Sequence, residues 1–272
     1  MMRFLRIYGA RIGIGAILLM ALFSVLLVWM PYQREYRIAK EFEAAGGRVH
    51  WQYCGPDWVQ PSIRGRLPFA HRVVLIDLKR HQMSPAILSG LESLSNLQDF
   101  YADHLQFDDA ACEHLKGRTR LVCLYLTETP VTDAGMAHLN DLNNLGTLDL
   151  GRTRISDDGL KHLAGKSRLT HLFLYHTKIS GTGLGNLKGL PQLTMLELSG
   201  VQIDDAGLKE LGELSQLQLI YLCETNVTDS GLMNLDGLNG LKFLDLRGTQ
   251  TTAEGREKLR EKLPNCKIEP AP

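Results

Sequence analysis

The segment ISDDGLKHL, Ile155 to Leu163, puts Asp157, Asp158 and His162 within six residues, the spacing that a carboxylate/imidazole metal site or an acid/base pair uses. Just beyond it, Gly159 and the triplet Gly165-Lys166-Ser167 come close to a phosphate-binding loop, but five residues intervene where that loop requires four. The GTGLG run from Gly181 to Gly185 is a second glycine-rich decoy. Serine nucleophiles in a Gly-x-Ser-x-Gly turn, Cys/His pairs and His-Glu-x-x-His clusters are absent, so an enzyme survives only as a constellation assembled across strands, such as Asp149, His171 and Tyr175. The five cysteines, Cys54, Cys112, Cys123, Cys223 and Cys266, are odd in number and lack metal-ligand spacing. No cofactor or metal is expected. With 30 basic residues balancing 30 acidic ones, nucleic acid is not an expected partner either.

The elements that must position these residues follow from spacing. From Val73 a frame of 24 residues restarts at Leu97, Leu121, Leu145, Leu169, Leu193, Leu217 and Leu241, so that eight units fill 73–264 without insertion or deletion. The units follow L-x-x-L-x-L-x-x-T-x-I/V-S/T-D/G-x-G-L/M-x-x-L. Apolar positions 1, 4 and 6 alternate as in a short strand, whereas 16, 19 and often 22 recur with helical spacing and point at the same core. One unit cannot bury both faces. Stacking pairs the strands into a parallel sheet at about 4.8 Å and closes a continuous leucine core, with both ends capped. The predicted fold class is therefore α/β, a curved solenoid with a parallel sheet on the concave side and short helices on the convex side. In this frame Cys123 and Cys223 lie four units apart, about 19 Å by strand spacing, and cannot be bridged.

The motif resembles the leucine-rich-repeat proteins, in particular the bacterial membrane-anchored kind with T-x-I-T-D-x-G-L repeats. The EAAGG and PDW of residues 39–72 and the terminal LPNCKIEP resemble the leader and end cap of that kind. The resemblance implies a protein-interaction scaffold, without catalysis, that meets its partner on the concave sheet.

Strand positions 3, 5, 7 and 8 alternate away from the leucines and are expected on that face. Position 5 reads Asp77, Tyr101, Tyr125, Asp149, Phe173, Glu197, Tyr221 and Asp245, a column of aromatic and acidic side chains only. Asp99, Asp103, His104, Arg152, His171, Tyr175, His176, Phe243 and Arg247 extend it. Exposed aromatics carry a solvation cost that a partner relieves, and Tyr and Arg anchor interfaces, so a protein partner is expected, with a glycan as the other candidate. The acids suit basic or hydroxyl groups. A self-assembling envelope component is the remaining alternative.

The frame also reinterprets the opening segment. Asp157 takes position 13 and Ser156 position 12, where other units carry Thr-Asp or Asp-Asp, and both read as helix-start residues. His162 shares position 18 with His114 and His138 on the convex face, where other units carry Asn, Glu or Lys; solvated side chains are expected there rather than a metal ladder. Position 15, glycine in most units, is read as a close approach of backbone to core.

Ahead of the repeats, 1–11 is a short basic segment and Ile12 to Met30 is an uncharged, mostly apolar run flanked by arginines. As a helix it spans about 28 Å, close to the ~30 Å hydrocarbon core. It is longer than a signal-peptide core and lacks a small-x-small cleavage site, so it reads as an uncleaved signal anchor. The three arginines before it place the N-terminus inside and the repeats in the extracytoplasmic space. A juxtamembrane helix is expected over 31–47 on an apolar stripe of Tyr32, Tyr36, Ala39 and Phe42. An N-terminal cap over 48–72, in which two tryptophans cover the exposed core, and a C-terminal cap over 265–272 complete the expected layout.

Overall fold

The computed structural model of the chain describes residues 29–78 and 84–270. Residues 12–28 of the expected membrane span lie outside them, and among the described residues no helix is long and apolar enough to cross a membrane. Among the described residues ten strands form one sheet in chain order. β1 (Arg48–Tyr53) pairs antiparallel with β2 (His71–Asp77). The strands β3 (Asp99–Tyr101), β4 (Cys123–Tyr125), β5 (Thr147–Asp149), β6 (His171–Phe173), β7 (Met195–Glu197), β8 (Leu219–Tyr221), β9 (Phe243–Asp245) and β10 (Lys267–Glu269) then follow in parallel.

Each strand is only three residues long from β3 onward because positions 3 to 5 alone are extended before the chain turns. Register is set by the repeat: Tyr101 lies beside Tyr125, Tyr125 beside Asp149, and Asp149 beside Phe173. The position 1, 4 and 6 leucines and those at 16 and 19 are almost wholly excluded from solvent in one continuous core. Threonine at position 9 turns its hydroxyl back onto the position 6 carbonyl of its own unit, as Thr129 does to Leu126 and Thr153 to Leu150, each at 2.6 Å. The polar atom at a core edge is thereby satisfied.

The units are also stitched by side chains. Asp133 in one unit accepts from both the amide (2.8 Å) and the hydroxyl (2.6 Å) of Ser156 in the next. Asp109 holds Thr132 in the same way, Asp205 holds Thr228, and Asp229 holds Thr252. The residue so held still caps its own helix where it can: Thr132, Thr228 and Thr252 accept a first-turn amide. The position 13 carboxylate is thus an inter-unit clamp rather than a dipole partner alone.

This clamp explains position 15. A Cβ at Gly135 would come within 2.4 Å of Asp109 Oδ1, and one at Gly159 within 2.5 Å of Asp133 Oδ1. There the glycine makes room for the neighbouring unit's carboxylate, which the expectation of a close approach to the core did not include; at Gly207, where no such acid faces it, an added Cβ would meet the core residue Ile203 at 2.5 Å, as expected. Position 12 obeys the same logic: it is a hydroxyl donor wherever the preceding unit supplies Asp, and becomes Asp only at Asp108 and Asp204, which follow Pro85 and Gly181. Two carboxylates facing one another would repel, whereas Asp108 and Asp204 act as helix caps.

At the N-terminal end a helix, α1, covers 29–44 and buries Ile38, Ala39 and Phe42 against the first repeat. Of the expected stripe, Ala39 and Phe42 are buried and Tyr32 is partly buried, but Tyr36 is 43% exposed and Glu35 takes the buried place beside it. Glu35 accepts the amide of Val73 at 3.1 Å and lies 3.7 Å from Arg72. Burial raises its pKa, opposed by the Val73 amide and the Arg72 charge. Trp51 packs against the core with its ring 5.9 Å from Tyr32, but Trp58 is 84% exposed, so only one of the two cap tryptophans covers the core. The other end closes with a helix, Ala253–Lys262, and β10.

Candidate functional site: the concave sheet face

The position 5 column runs unbroken across β2 to β10, with Glu269 added at the end. Tyr101 and Tyr125 stack at 4.7 Å with an interplanar angle of 17°, as adjacent parallel strands allow. Tyr221 and Phe243 form a tilted pair at 5.3 Å. Tyr101, Tyr125, Phe173, Tyr221 and Phe243 are all partly exposed. Burial raises the Tyr101 phenol pKa, and Asp99, Cys123, Asp77 and Asp103 add to the rise. Burial likewise pushes Tyr125 up to about 12. The field over this pair is negative.

The acids do not form one uniform surface. Asp149 and Asp245 are 8% and 1% exposed, and each turns back to accept an amide of its own unit, from Gly151 at 2.8 Å and from Arg247 at 3.1 Å. Glu197 does the same with Ser199 at 2.8 Å. These three therefore spend acceptor capacity on fixing the bend after the strand, which sequence reading assigned wholly to a partner. Burial raises Asp149 against the Gly151 and Thr127 hydrogen bonds. Asp245 is also buried, but its hydrogen bonds, led by that from Arg247, hold its pKa low. Asp103 accepts the Thr127 amide of the following unit at 3.0 Å, and Asp99 stands beside Cys123 in register.

A cavity of about 690 Å³ lies at the N-terminal end of the concave face, lined by Arg48, His50, Leu75, Asp77, Tyr101, Asp103 and His104. Arg48 and His50 were missed by sequence reading. β1 alternates Val49, Trp51 and Tyr53 with Arg48, His50 and Gln52, and its antiparallel pairing places Arg48 beside Asp77 and His50 beside Leu75. The alternation was visible, but the pairing that carries it onto the concave face was not. A second depression, about 420 Å³, is lined by Asp149, Phe173, Tyr175, His176, Glu197 and Ser199.

Position 8 forms the rim. His104, Glu128, Arg152, His176 and Glu224 all hold positive φ, between 51° and 61°, and Gly200 and Gly248 occupy the same place. Such a backbone costs an L-residue about 1–2 kcal/mol. From His104 to Glu224 each of these amides donates across to the position 7 carbonyl of the next unit, as His104 does to Thr127 at 2.7 Å, and the ladder holds the strained turn in place. Glu128 bridges His104 in the preceding unit and Arg152, 3.5 Å away, in the following one. The Tyr175 ring lies over Gly151 and its hydroxyl reaches Thr127 at 3.5 Å, while His176 lies over Gly200. A side chain at either glycine would displace these rings.

His171 is exposed, with Nδ1 at 2.8 Å from Thr170 Oγ1. Among the described residues no hydrogen bond directly joins Asp149, His171 and Tyr175: Asp149 and Tyr175 both reach Thr127, while His171 turns to Thr170. On the convex face Asp157 clamps Ser180 and Thr182, Asp158 pairs with Lys161, and His162 Nδ1 lies 3.1 Å from Asn140. His114 pairs instead with Glu92 at 2.7 Å. Among the described residues no group of three His, Cys, Asp or Glu is placed to hold a metal. Lys166 of the phosphate-loop decoy is fully buried and donates to the Leu139 and Asn140 carbonyls at 2.8 and 3.2 Å, ending the preceding unit's helical turn. Arg118 does the same two units earlier with Leu91 and Glu92.

Two comparisons with known proteins, a family model and one solved structure, support the fold. A leucine-rich-repeat family model matches residues 143–203. The crystal structure of internalin C2 from Listeria monocytogenes is 25% identical, with a TM-score of 0.58, over 72% of this chain and 80% of that one. Internalin F from the same organism is 21% identical over 68% of this chain and 70% of that one, with a TM-score of 0.40. A comparison with curated proteins gives no match. The chain is thus a leucine-rich-repeat solenoid, similar in fold to an internalin.

Proposed function

We propose that the chain is a membrane-anchored, non-catalytic scaffold that binds a protein segment through its concave sheet. The observation that carries this reading is the stacked Tyr101–Tyr125 pair, partly exposed beside the Asp77, Asp99 and Asp103 carboxylates. A ring face in a negative field favours a cationic or hydrogen-bond-donating group, so the segment carries basic side chains. Tyr221 and Phe243 offer a second contact four units away, which suits an extended partner rather than a small molecule. The apolar run from Ile12 to Met30 supports an anchor, and the arginines before it support repeats on the extracytoplasmic side.

Crosslinking in native membranes tests the binding reading. Replacing Tyr125, Phe173 and Tyr221 together by serine removes partly exposed rings and leaves the leucine core untouched, so the expected result is a folded protein that no longer captures its partner. Retained capture would overturn the site. A captured glycan would replace the protein partner, and concentration-dependent mass in sedimentation without any partner would point to self-assembly. For topology, Cys54 is the exposed thiol, whereas Cys112 is buried and burial pushes the Cys123 thiol up to about 11. A membrane-impermeant maleimide added to intact cells is expected to label Cys54, and labelling only after lysis would reverse the orientation.

A further inference from the structure

A cleft of about 850 Å³ lies where α1 meets the first repeat, away from the concave columns, and Arg34, Arg37 and Arg72 line it together with Ser93 and Ser95. Three elements converge there: the first turns of α1, the start of β2 and the turn that closes the first unit. Its acid, Glu35, is 3% exposed and already committed to the Val73 amide and Arg72. Arg72 also donates to the Phe69 and His71 carbonyls, which fixes its guanidinium at the cleft wall. Arg34 and Arg37 are exposed and make no ion pair or side-chain hydrogen bond among the described residues. Met30 and Pro31 form an apolar lip, Met30 being 63% exposed, and the neighbouring Trp29 is 42% exposed. Two free guanidiniums, a third held in place and two hydroxyls make a set of donors for a phosphate group.

We infer that this cleft binds the phosphodiester of an anionic lipid headgroup, with Arg34 and Arg37 as the principal donors and Ser93 and Ser95 as hydroxyl partners. The lipid source follows from position: the cleft begins at Met30, the last residue of the apolar run read as the membrane anchor, with an interfacial tryptophan beside it. The anion chemistry stands on the cleft alone; only its source rests on the anchor reading.

The test uses the purified full chain in a zwitterionic detergent and follows thermal stability during titration with dihexanoyl phosphatidylglycerol, dihexanoyl phosphatidylcholine or inorganic phosphate. The glycerol lipid is expected to raise the transition temperature, the choline lipid to leave it unchanged, and phosphate to act only at far higher concentration. Arg34→Gln with Arg37→Gln is expected to weaken the phosphatidylglycerol response about 25-fold, a factor of about five for each basic side chain, without changing the ligand-free transition. The paired Arg→Lys variant is expected to retain part of the response. Equal responses to both lipids, or an undiminished response in the glutamine variant, would overturn the site. Phosphate acting as strongly as the lipid would uphold the anion site with a free phosphate as its source.

Discussion

At the residue scale the side chains that look most reactive are the ones most occupied by structure. Asp133 illustrates this, because its two oxygens satisfy an amide and a hydroxyl of the next unit. Asp133→Ala is expected to lower unfolding stability by about 1.5–3 kcal/mol in urea titration, the range for hydrogen bonds to a charged group. Gly159→Ala should destabilise through collision with the same carboxylate, and the double variant should be less unstable than the sum of the two, since the collision disappears with the acid. Additive effects would show that the glycine serves something other than the clamp. Lys166 gives a pH signature: burial lowers its pKa to about 8, opposed by the charge of Asp141. The unfolded chain keeps that proton to about pH 10.5, so between these values the unfolded state binds more protons and stability rises with pH. Lys166→Met is expected to abolish this rise, measured as urea midpoint against pH, while keeping a folded protein, because leucine fills the same position in most units. Asp229 works in the other sense. The Thr252 hydroxyl and amide hold its pKa low, so its stabilisation is complete above the unfolded value of 3.8 and is lost as pH falls through the lower folded value.

At the element scale, each unit from the second onward is a three-residue strand followed by a tight turn and a short helical turn, and the strain of the five non-glycine turn residues sits on the rim of the candidate site. Glu224 holds φ at 57° and forms no ion pair among the described residues, so Glu224→Gly is expected to stabilise the fold by about 1 kcal/mol in urea titration. A loss of stability would mean that the glutamate contributes contacts beyond its backbone. The strand and core positions were legible in the sequence because period-two and helical spacings coexist in one 24-residue frame and nothing else satisfies both. The concave column at position 5 was legible for the same reason. What escaped was every property that depends on a neighbour. Arg48 and His50 reach the cavity through an antiparallel pairing, the acids at Asp149 and Asp245 turn inward to nearby amides, and the α1 stripe contains a glutamate whose partner lies 38 residues away. The clamp was present in the letters as the pairing of Asp at position 13 with a hydroxyl and a glycine one unit later. Its meaning required the register.

At the scale of the whole molecule the solenoid is a one-dimensional stack, and its stability is the sum of units and the interfaces between them. A partner segment lying across the concave face would touch several units at once, so binding is expected to raise hydrogen-exchange protection along the whole sheet rather than at one strand. The interfaces are not equal, however. Aspartate clamps join the unit that starts at Leu97 successively to those starting at Leu121, Leu145 and Leu169, and join the last three units to one another. Between the units that start at Leu169 and Leu193 the clamp residue is Gly181, with φ at 101°, whose own added Cβ would meet Gly207 Cα at 2.9 Å. Under load or heat this joint is where the stack is expected to part, releasing residues 193–264 as one body while 97–192 stays wound. Pulled from residues 97 and 264 in a force-spectroscopy measurement, this part of the stack should therefore lengthen in two large steps, like a rope spliced from two lengths, instead of shedding one turn at a time.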